Sequence, residues 1–176
     1  MEIWDVYDVH KRIIKNREVV RELEDFNEGE YHLVTVGWIY NSKGELLLQK
    51  RAANKVYPLI YANHGGSALK GETSVQSMIR EIYEEIGIRF CENELVFLRS
   101  FIEGVTIFDE YIVHKNIEIG NLQIDYEEVE SCQWFTLEEM NDLIDQKLCF
   151  NYRENSPNGM ASLDLIKNYI NKRKIG

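Results

Sequence analysis

Apolar residues along the chain fall into short runs that indicate strands separated by polar turns. Residues 31–40 are rich in β-branched and aromatic side chains, and residues 45–51 return as an apolar run after a turn. Two shorter runs near the start predict a β-hairpin within about residues 1–28. Further strands are predicted at residues 59–62, 94–101, 106–115, 117–119 and 130–135.

Three other segments repeat apolar residues at helical spacing. The first begins at Thr73, which can form a capping box with Gln76, and ends at Gly87, where a left-handed residue is favoured. A second helix is predicted at residues 137–146 and a third at about 160–174. The apolar stripe of the first helix, which should face a core, comprises Val75, Met78, Ile79, Ile82 and Ile86.

The order of these elements predicts the fold class. Strands with interspersed helices indicate an α/β (α+β) protein, in which a mixed central sheet carries helices on both faces. The chain has 176 residues and contains no internal repeat or linker, so we expect one domain over residues 1–176. The hairpin at about 1–28 and the helix at about 160–174 should be its first and last elements.

The first predicted helix has an acidic face opposite its apolar stripe. Glu81, Glu84 and Glu85 stand at positions i, i+3 and i+4, so their carboxylates should converge on one patch. Like charges at this spacing repel one another unless a cation lies between them. Ligands that are all oxygens suit Mg²⁺ or Mn²⁺. For three glutamates alone, the alternative is a face that is simply solvated.

Charge and cysteine usage narrow the expected partners. The net charge is −10, which argues against binding of bulk nucleic acid or of an anionic membrane. A phosphate-bearing substrate would therefore need local positive charge or bound divalent ions. We expect neither a membrane-spanning run nor a signal peptide. Cys91, Cys132 and Cys149 form no CxxC pair, which favours reduced thiols in a cytoplasmic protein.

Glycines and charged residues around the first helix match a known motif. Gly66 is followed by Glu72 after five intervening residues, and residues 80–88 read REIYEEIGI. Residues 66–88 resemble the Nudix box at every defining position, and the chain resembles a Nudix hydrolase across roughly residues 30–150. The resemblance implies an α/β/α sandwich with a central mixed sheet. It also implies hydrolysis of a nucleoside diphosphate linked to another group.

The same resemblance implies a metal site and a mechanism. Glu84 and Glu85 would be the principal ligands of Mg²⁺, with Glu81 beside them and the carbonyl oxygen of Gly66 in the metal shell. The metal would neutralise the diphosphate and activate a bound water, and a carboxylate would remove the proton. Glu128, in the acidic turn before the last predicted strand, is favoured as that base. A solvated acidic turn is the alternative there.

Other residues near the box are expected to be structural or to contact the substrate. Arg80 and Glu72 would pair and hold the loop against the helix, and Gly87 would end that helix. Each nearby cation is alternatively an ordinary solvated side chain, and a histidine there a structural one. The candidates for substrate contact are Arg51, Lys50, Lys70 and His64, with Trp38, Tyr57 and Tyr61 either stacking on a base or packing in the core.

Two other functions fit a chain of this kind. Asp5, Tyr7 and parts of residues 31–51 look similar to a Nudix subgroup related to isopentenyl-diphosphate isomerase. The acidic cysteine and metal-binding histidine of that enzyme would fall at Gly65 and Ser67, where neither is present. A non-catalytic nucleotide-binding module would have lost box carboxylates, all of which this chain keeps. The substrate stays open among nucleotides and simpler diphosphates, and homodimers are common in the family.

Overall fold

Nine strands and three α-helices make up the part of the chain that the computed structural model describes, residues 2–153 and 162–174. The strands are β1 (Ile3–Tyr7), β2 (Ile13–Val20), β3 (His32–Tyr40), β4 (Leu46–Arg51), β5 (Tyr61–Ala62), β6 (His64–Ser67), β7 (Val96–Glu103), β8 (Thr106–His114) and β9 (Val129–Phe135). The helices are α1 (Ser74–Ile86), α2 (Leu137–Asp145) and α3 (Ser162–Lys174).

A seven-stranded mixed sheet forms the centre of the structure, as the sequence predicted. β3 pairs in parallel with β8 and antiparallel with β4, while β7 and β9 extend the sheet beyond β8 and β4. β3 and β4 pair at Ile39 and Tyr40 and diverge from there. β5 pairs with β4 and β6 pairs with β3, so these two short strands lie in the gap between the diverging strands.

Helices cover both faces of this sheet, as predicted. On one face, α1 packs Met78, Ile82 and Ile86 against the sheet, and all three side chains are fully buried. Burial of a side chain of this size contributes roughly 2 kcal/mol to folding. On the other face, α2 and α3 cover a second cluster that includes Trp38, Leu46, Leu48, Met140, Ile166 and Ile170.

The ends of α1 lie where the sequence predicted them. The Thr73 hydroxyl accepts a hydrogen bond from the Gln76 amide at 3.3 Å, and the Thr73 amide donates to the Gln76 side chain at 3.0 Å. Gly87 ends the helix with φ 73°, and its amide donates to the Tyr83 carbonyl oxygen at 2.9 Å. A Cβ at Gly87 would lie 2.5 Å from the Cβ of Gln123, so glycine satisfies both the backbone conformation and the close approach.

The predicted hairpin forms a separate two-stranded sheet. β1 and β2 pair antiparallel, with Ile3 opposite Val20 and Tyr7 opposite Ile13. Tyr7 then pairs with Tyr31 through two main-chain hydrogen bonds of 2.8 and 2.9 Å. The hairpin is therefore tied to the chain immediately before β3.

One predicted strand is absent, and one observed strand was not predicted. Residues 117–119 form no strand; Ile119–Asn121 is a 3₁₀ turn instead. The carbonyl oxygen of Ile117 accepts a bond from the Trp134 indole at 3.0 Å, and its side chain packs on the cluster beneath α1, which explains its apolar character without sheet pairing. β6 was not predicted, because its sequence HGGS has no apolar alternation and the strand exists through pairing with β3. For the predicted last helix, residues 160 and 161 lie outside the described residues.

Candidate active site

The box begins on β6 and continues through a loop into α1. Gly66 lies opposite Thr35 of β3, so its main chain is fixed by sheet pairing. A Cβ at Gly66 would clash with the carboxylate of Glu81, which reaches back from α1. The absence of a side chain at this position therefore lets a helix carboxylate lie directly against the main chain of β6.

Arg80 joins the loop to the helix. Its Nε and Nη2 atoms donate to the two carboxylate oxygens of Glu72 at 2.7 and 2.9 Å, and Nη2 also donates to the carbonyl oxygen of Ser67 at 2.9 Å. The pair inferred from the resemblance is thus present and is bidentate, the geometry that suits a guanidinium best. Nη1 donates to Glu81 and to Glu84, each at 2.8 Å.

The three box glutamates lie in different environments. The Glu81 side chain is 16% exposed, and burial raises its pKa to about 7, with Arg80 opposing the shift. Glu84 is about half exposed and shares Arg80 with Glu81. Glu85 is buried and turns toward the sheet, where it accepts bonds from the Gln49 amide at 2.7 Å and contacts Nδ1 of His64 at 2.8 Å.

The oxygen atoms around Gly66 are of a type that binds divalent cations. Glu81, Glu84 and the carbonyl oxygen of Gly66 are all oxygen ligands, and the bare main chain at Gly66 brings two of them together. Within residues 2–153 and 162–174, no three acidic, histidine or cysteine side chains lie close enough together, in their present positions, to hold a metal ion. Glu81 and Glu84 share Arg80, while Glu85 is bonded to Gln49 of the sheet.

A cleft of about 220 Å³ opens where β3 and β4 diverge. Its walls are largely apolar, with one arginine and several buried polar groups. Its lining consists of Val34, Val36, Gln49, Arg51, Ala62, Asn63, His64, Gly65, Phe108, Phe150 and Tyr152. A larger cavity of about 460 Å³ lies between α2 and α3, and its described lining contains no box residue.

The structure separates the four predicted substrate contacts into two pairs. Arg51 and His64 line the cleft; His64 is fully buried, and its Nε2 has no hydrogen-bond partner in the described part of the chain. Lys50 follows the buried Gln49 on β4 and is not among the residues that line the cleft. Lys70 forms an ion pair with Glu18 of the hairpin.

The remaining candidates have other partners. Glu128 is 47% exposed and forms an ion pair with Lys55. Trp38 is fully buried and donates its indole hydrogen to Glu110 at 2.8 Å, so it belongs to the core. Tyr61 packs edge-on against Phe135, also in that core. Tyr57 is exposed and lies edge-on to Phe150 beside the cleft.

Sequence reasoning missed several residues of this region. Gln49 bonds both Glu85 and the carbonyl oxygen of Asn63, and its only sequence signal is a polar residue within an apolar strand. Asn63 also exchanges two hydrogen bonds with the Tyr152 hydroxyl, at 2.9 and 3.2 Å. The two residues are 89 positions apart in the sequence, so no local pattern could predict their contact.

The sheet splits between β3 and β4 and carries the box helix on one face. This is the architecture of a class of hydrolases, and similarity to known proteins identifies the family. A model described as the NUDIX domain matches residues 30–154. The chain belongs to the Nudix family and is a hydrolase. A Nudix hydrolase of Listeria monocytogenes is 36% identical over 148 residues, which cover 81% of this chain and 85% of the relative. A Nudix hydrolase of Listeria innocua is 37% identical over 152 residues.

More distant similarities agree on the fold. An isopentenyl-diphosphate isomerase of Escherichia coli is 27% identical over 113 residues, or 60% of this chain and 62% of the enzyme. A crystal structure from Deinococcus radiodurans has a TM-score of 0.71 at 16% identity, covering 95% of this chain and 98% of that one. A MutT structure from work on Aliivibrio salmonicida and Vibrio cholerae has a TM-score of 0.57 at 23% identity, covering 78% and 98%. No described helix is long and apolar enough to cross a membrane.

Proposed function

We propose that this protein hydrolyses a diphosphate bond in a nucleoside-diphosphate-linked or related small substrate, with Mg²⁺ as its cofactor and Mn²⁺ as a substitute. One observation carries the proposal. A largely buried carboxylate, Glu81, lies against the bare main chain of Gly66 on β6 and shares Arg80 with Glu84, while Gln49 and His64, which line the cleft, contact Glu85. One guanidinium, that of Arg80, serves Glu72, Glu81 and Glu84, so the group keeps a net negative charge that a divalent cation would neutralise.

Four groups would hold the metal: the carbonyl oxygen of Gly66 and the carboxylates of Glu81, Glu84 and Glu85. A bound divalent ion supplies neutralisation of the diphosphate charge and lowers the pKa of water. Arg80 holds Glu81 and Glu84 close together and keeps the loop in place. Glu81 and Glu84 are therefore held near one another, whereas Glu85 would have to turn from Gln49 and His64 to complete the site.

The cleft supports the assignment of the substrate position. Arg51 would contact a phosphate group, and the apolar walls would hold the part of the substrate that is not phosphate. Because the chain carries a net charge of −10, local cations are needed for an anionic substrate. Exclusion of water by these walls would strengthen each polar contact inside the cleft.

Two carboxylates are candidates for the general base. Glu81 is largely buried among the proposed ligands, and burial raises its pKa to about 7 while no metal is bound. Glu128 stays a candidate from the acidic turn, although its carboxylate is paired with Lys55. Replacement of each by glutamine separates them, since loss of the base changes the pH profile of turnover as well as its rate.

Hydrolysis is favoured over isomerisation by the geometry of β6. Gly65 has φ 148°, and a Cβ there would clash with the carbonyl oxygen of Thr35. A cysteine at this position, which the isomerase chemistry would need, therefore does not fit this backbone. Free Cys91, Cys132 and Cys149 support a reducing compartment such as the cytoplasm, and we extend the proposal to that location.

A substrate panel tests the proposal. Purified protein is assayed with Mg²⁺ or Mn²⁺ on nucleotides, nucleotide sugars and simple diphosphates. We expect release of phosphate products from at least one class, and Glu84→Gln and Glu85→Gln should each lower turnover by about 100-fold. Glu138→Gln, an exposed substitution on α2, is the matched control. Wild-type rates in both box variants would refute the site assignment.

A further inference from the structure

The loop between β6 and α1 is held from the side of the N-terminal hairpin. The Gly71 amide donates to Oδ2 of Asp5 at 2.7 Å, and the Lys70 amide donates to the carbonyl oxygen of Ile3 at 2.8 Å. Lys70 also forms its ion pair with Glu18 on β2. Both strands of the hairpin therefore contact the same short loop.

An apolar contact secures this docking. Tyr7 of the hairpin packs with Leu33, Ala68 and Ile107 in a small buried cluster. Ala68 lies in the box loop, and its amide donates to the carbonyl oxygen of Leu33 at 2.9 Å. The hairpin, the loop and the central sheet thus share one core, which fixes where β1 lies relative to the loop.

The opposite side of the loop is held by the box itself. Arg80 bonds Glu72 and the carbonyl oxygen of Ser67, and the Leu69 amide donates to Glu72 at 2.8 Å. Gly71 lies between these anchored points in a left-handed conformation, φ 82°, and no heavy atom lies within 4 Å of where its Cβ would be. The Glu72 amide closes a turn around Gly71 by donating to the Leu69 carbonyl oxygen at 3.0 Å, and the bond to Asp5 is the contact that the Gly71 amide itself makes.

We propose that the N-terminal hairpin clamps the box loop, and that Asp5 is a positioning residue that sets the loop geometry through the Gly71 amide. The inference rests on the proposed function, because the clamp matters only if this loop borders the metal and diphosphate site. The family model begins at residue 30, so the clamp lies outside the part of the chain that defines the family.

Three substitutions of Asp5 separate the effect of the hydrogen bond from the effects of charge and of misfolding. Asp5→Ala removes the acceptor. Asp5→Asn keeps an acceptor oxygen at the same reach but removes the charge, whereas Asp5→Glu keeps the charge and displaces the oxygens by one methylene. Glu2→Ala, which removes a hairpin carboxylate paired with Arg21, is the matched control. If Asp5→Ala fails to fold, the comparison of Asp5→Asn with Asp5→Glu still decides the question.

The first readout is the Mg²⁺ concentration for half-maximal hydrolysis. Asp5→Ala should raise it about tenfold, because removing a group that orients a metal-binding element typically costs 10–100-fold. Asp5→Asn should stay within about twofold of the wild type, and Asp5→Glu should lie closer to Asp5→Ala. The second readout, hydrogen exchange of the Gly71 amide without metal, should be faster in Asp5→Ala than in Glu2→Ala.

The outcomes distinguish the two proposals. If the wild type cleaves no diphosphate, the proposed function fails, and the exchange of the Gly71 amide still tests the clamp. If the wild type is active while Asp5→Ala keeps the wild-type Mg²⁺ dependence and a protected Gly71 amide, the clamp alone is overturned. Equal loss in Asp5→Asn and Asp5→Ala would also overturn it, since charge rather than the hydrogen bond would then be responsible.

Discussion

Substitution of Glu81 by glutamine should reveal a buried charge through the pH dependence of stability. Burial raises the pKa of Glu81 from 4.5 to about 7 in the folded state. Below pH 4.5 the carboxyl is neutral in both the folded and unfolded states. Between these two values the folded state holds a proton that the unfolded state has released, so the wild-type protein loses stability as the pH rises.

The magnitude follows from the size of the shift. The difference between about 7 and 4.5 corresponds to roughly 3 kcal/mol at 1.36 kcal/mol per pKa unit. His32 acts in the opposite direction, because burial lowers its pKa to about 4 and stability then falls as the pH falls through the window from 6.5 to 4. The wild-type profile therefore mixes two effects, whereas the difference from Glu81→Gln isolates one.

The assay is urea unfolding in the presence of a chelator at pH 5, 6, 7 and 8, followed by tryptophan fluorescence. The stability of Glu81→Gln relative to the wild type should increase by up to about 3 kcal/mol between pH 5 and pH 8. Mg²⁺ at pH 8 should stabilise the wild type more than the variant. Glu138→Gln controls for removal of a carboxylate. Parallel profiles for Glu81→Gln and the wild type, within about 0.5 kcal/mol, would refute the reasoning.

Two further predictions concern residues that contact Glu81. Gly66→Ala would place a methyl group where the Glu81 carboxylate lies. We expect the free energy of unfolding, measured in urea, to fall by about 1–3 kcal/mol, and hydrolysis to be slower. Unchanged stability and activity would contradict the close approach of Glu81 to Gly66. Arg80→Lys keeps a charge but loses the fork that bonds Glu72. It should cost about 2 kcal/mol in the same assay, and a cost below about 0.5 kcal/mol would show that the bidentate geometry contributes little.

Local patterns were sufficient for most elements and for the composition of the box. The capping residues and Gly87 placed both ends of α1, because the chemistry of helix ends is contained within a few neighbouring residues. The apolar runs located β3 and β4 for a similar reason. The strand predicted at residues 117–119 is absent, because apolar residues there pack on the core without pairing with the sheet.

The sequence by itself determined that four carboxylates, an arginine and two glycines stand at the spacing of a Nudix box, and hence the family. Only the tertiary structure decided which way each carboxylate turns: Glu85 toward Gln49 and His64, and Glu81 toward Gly66. It alone placed Lys70 and the Gly71 amide against the hairpin. The physical reason is that helical spacing is set by local backbone geometry, whereas the partners of a side chain depend on strands far away in sequence.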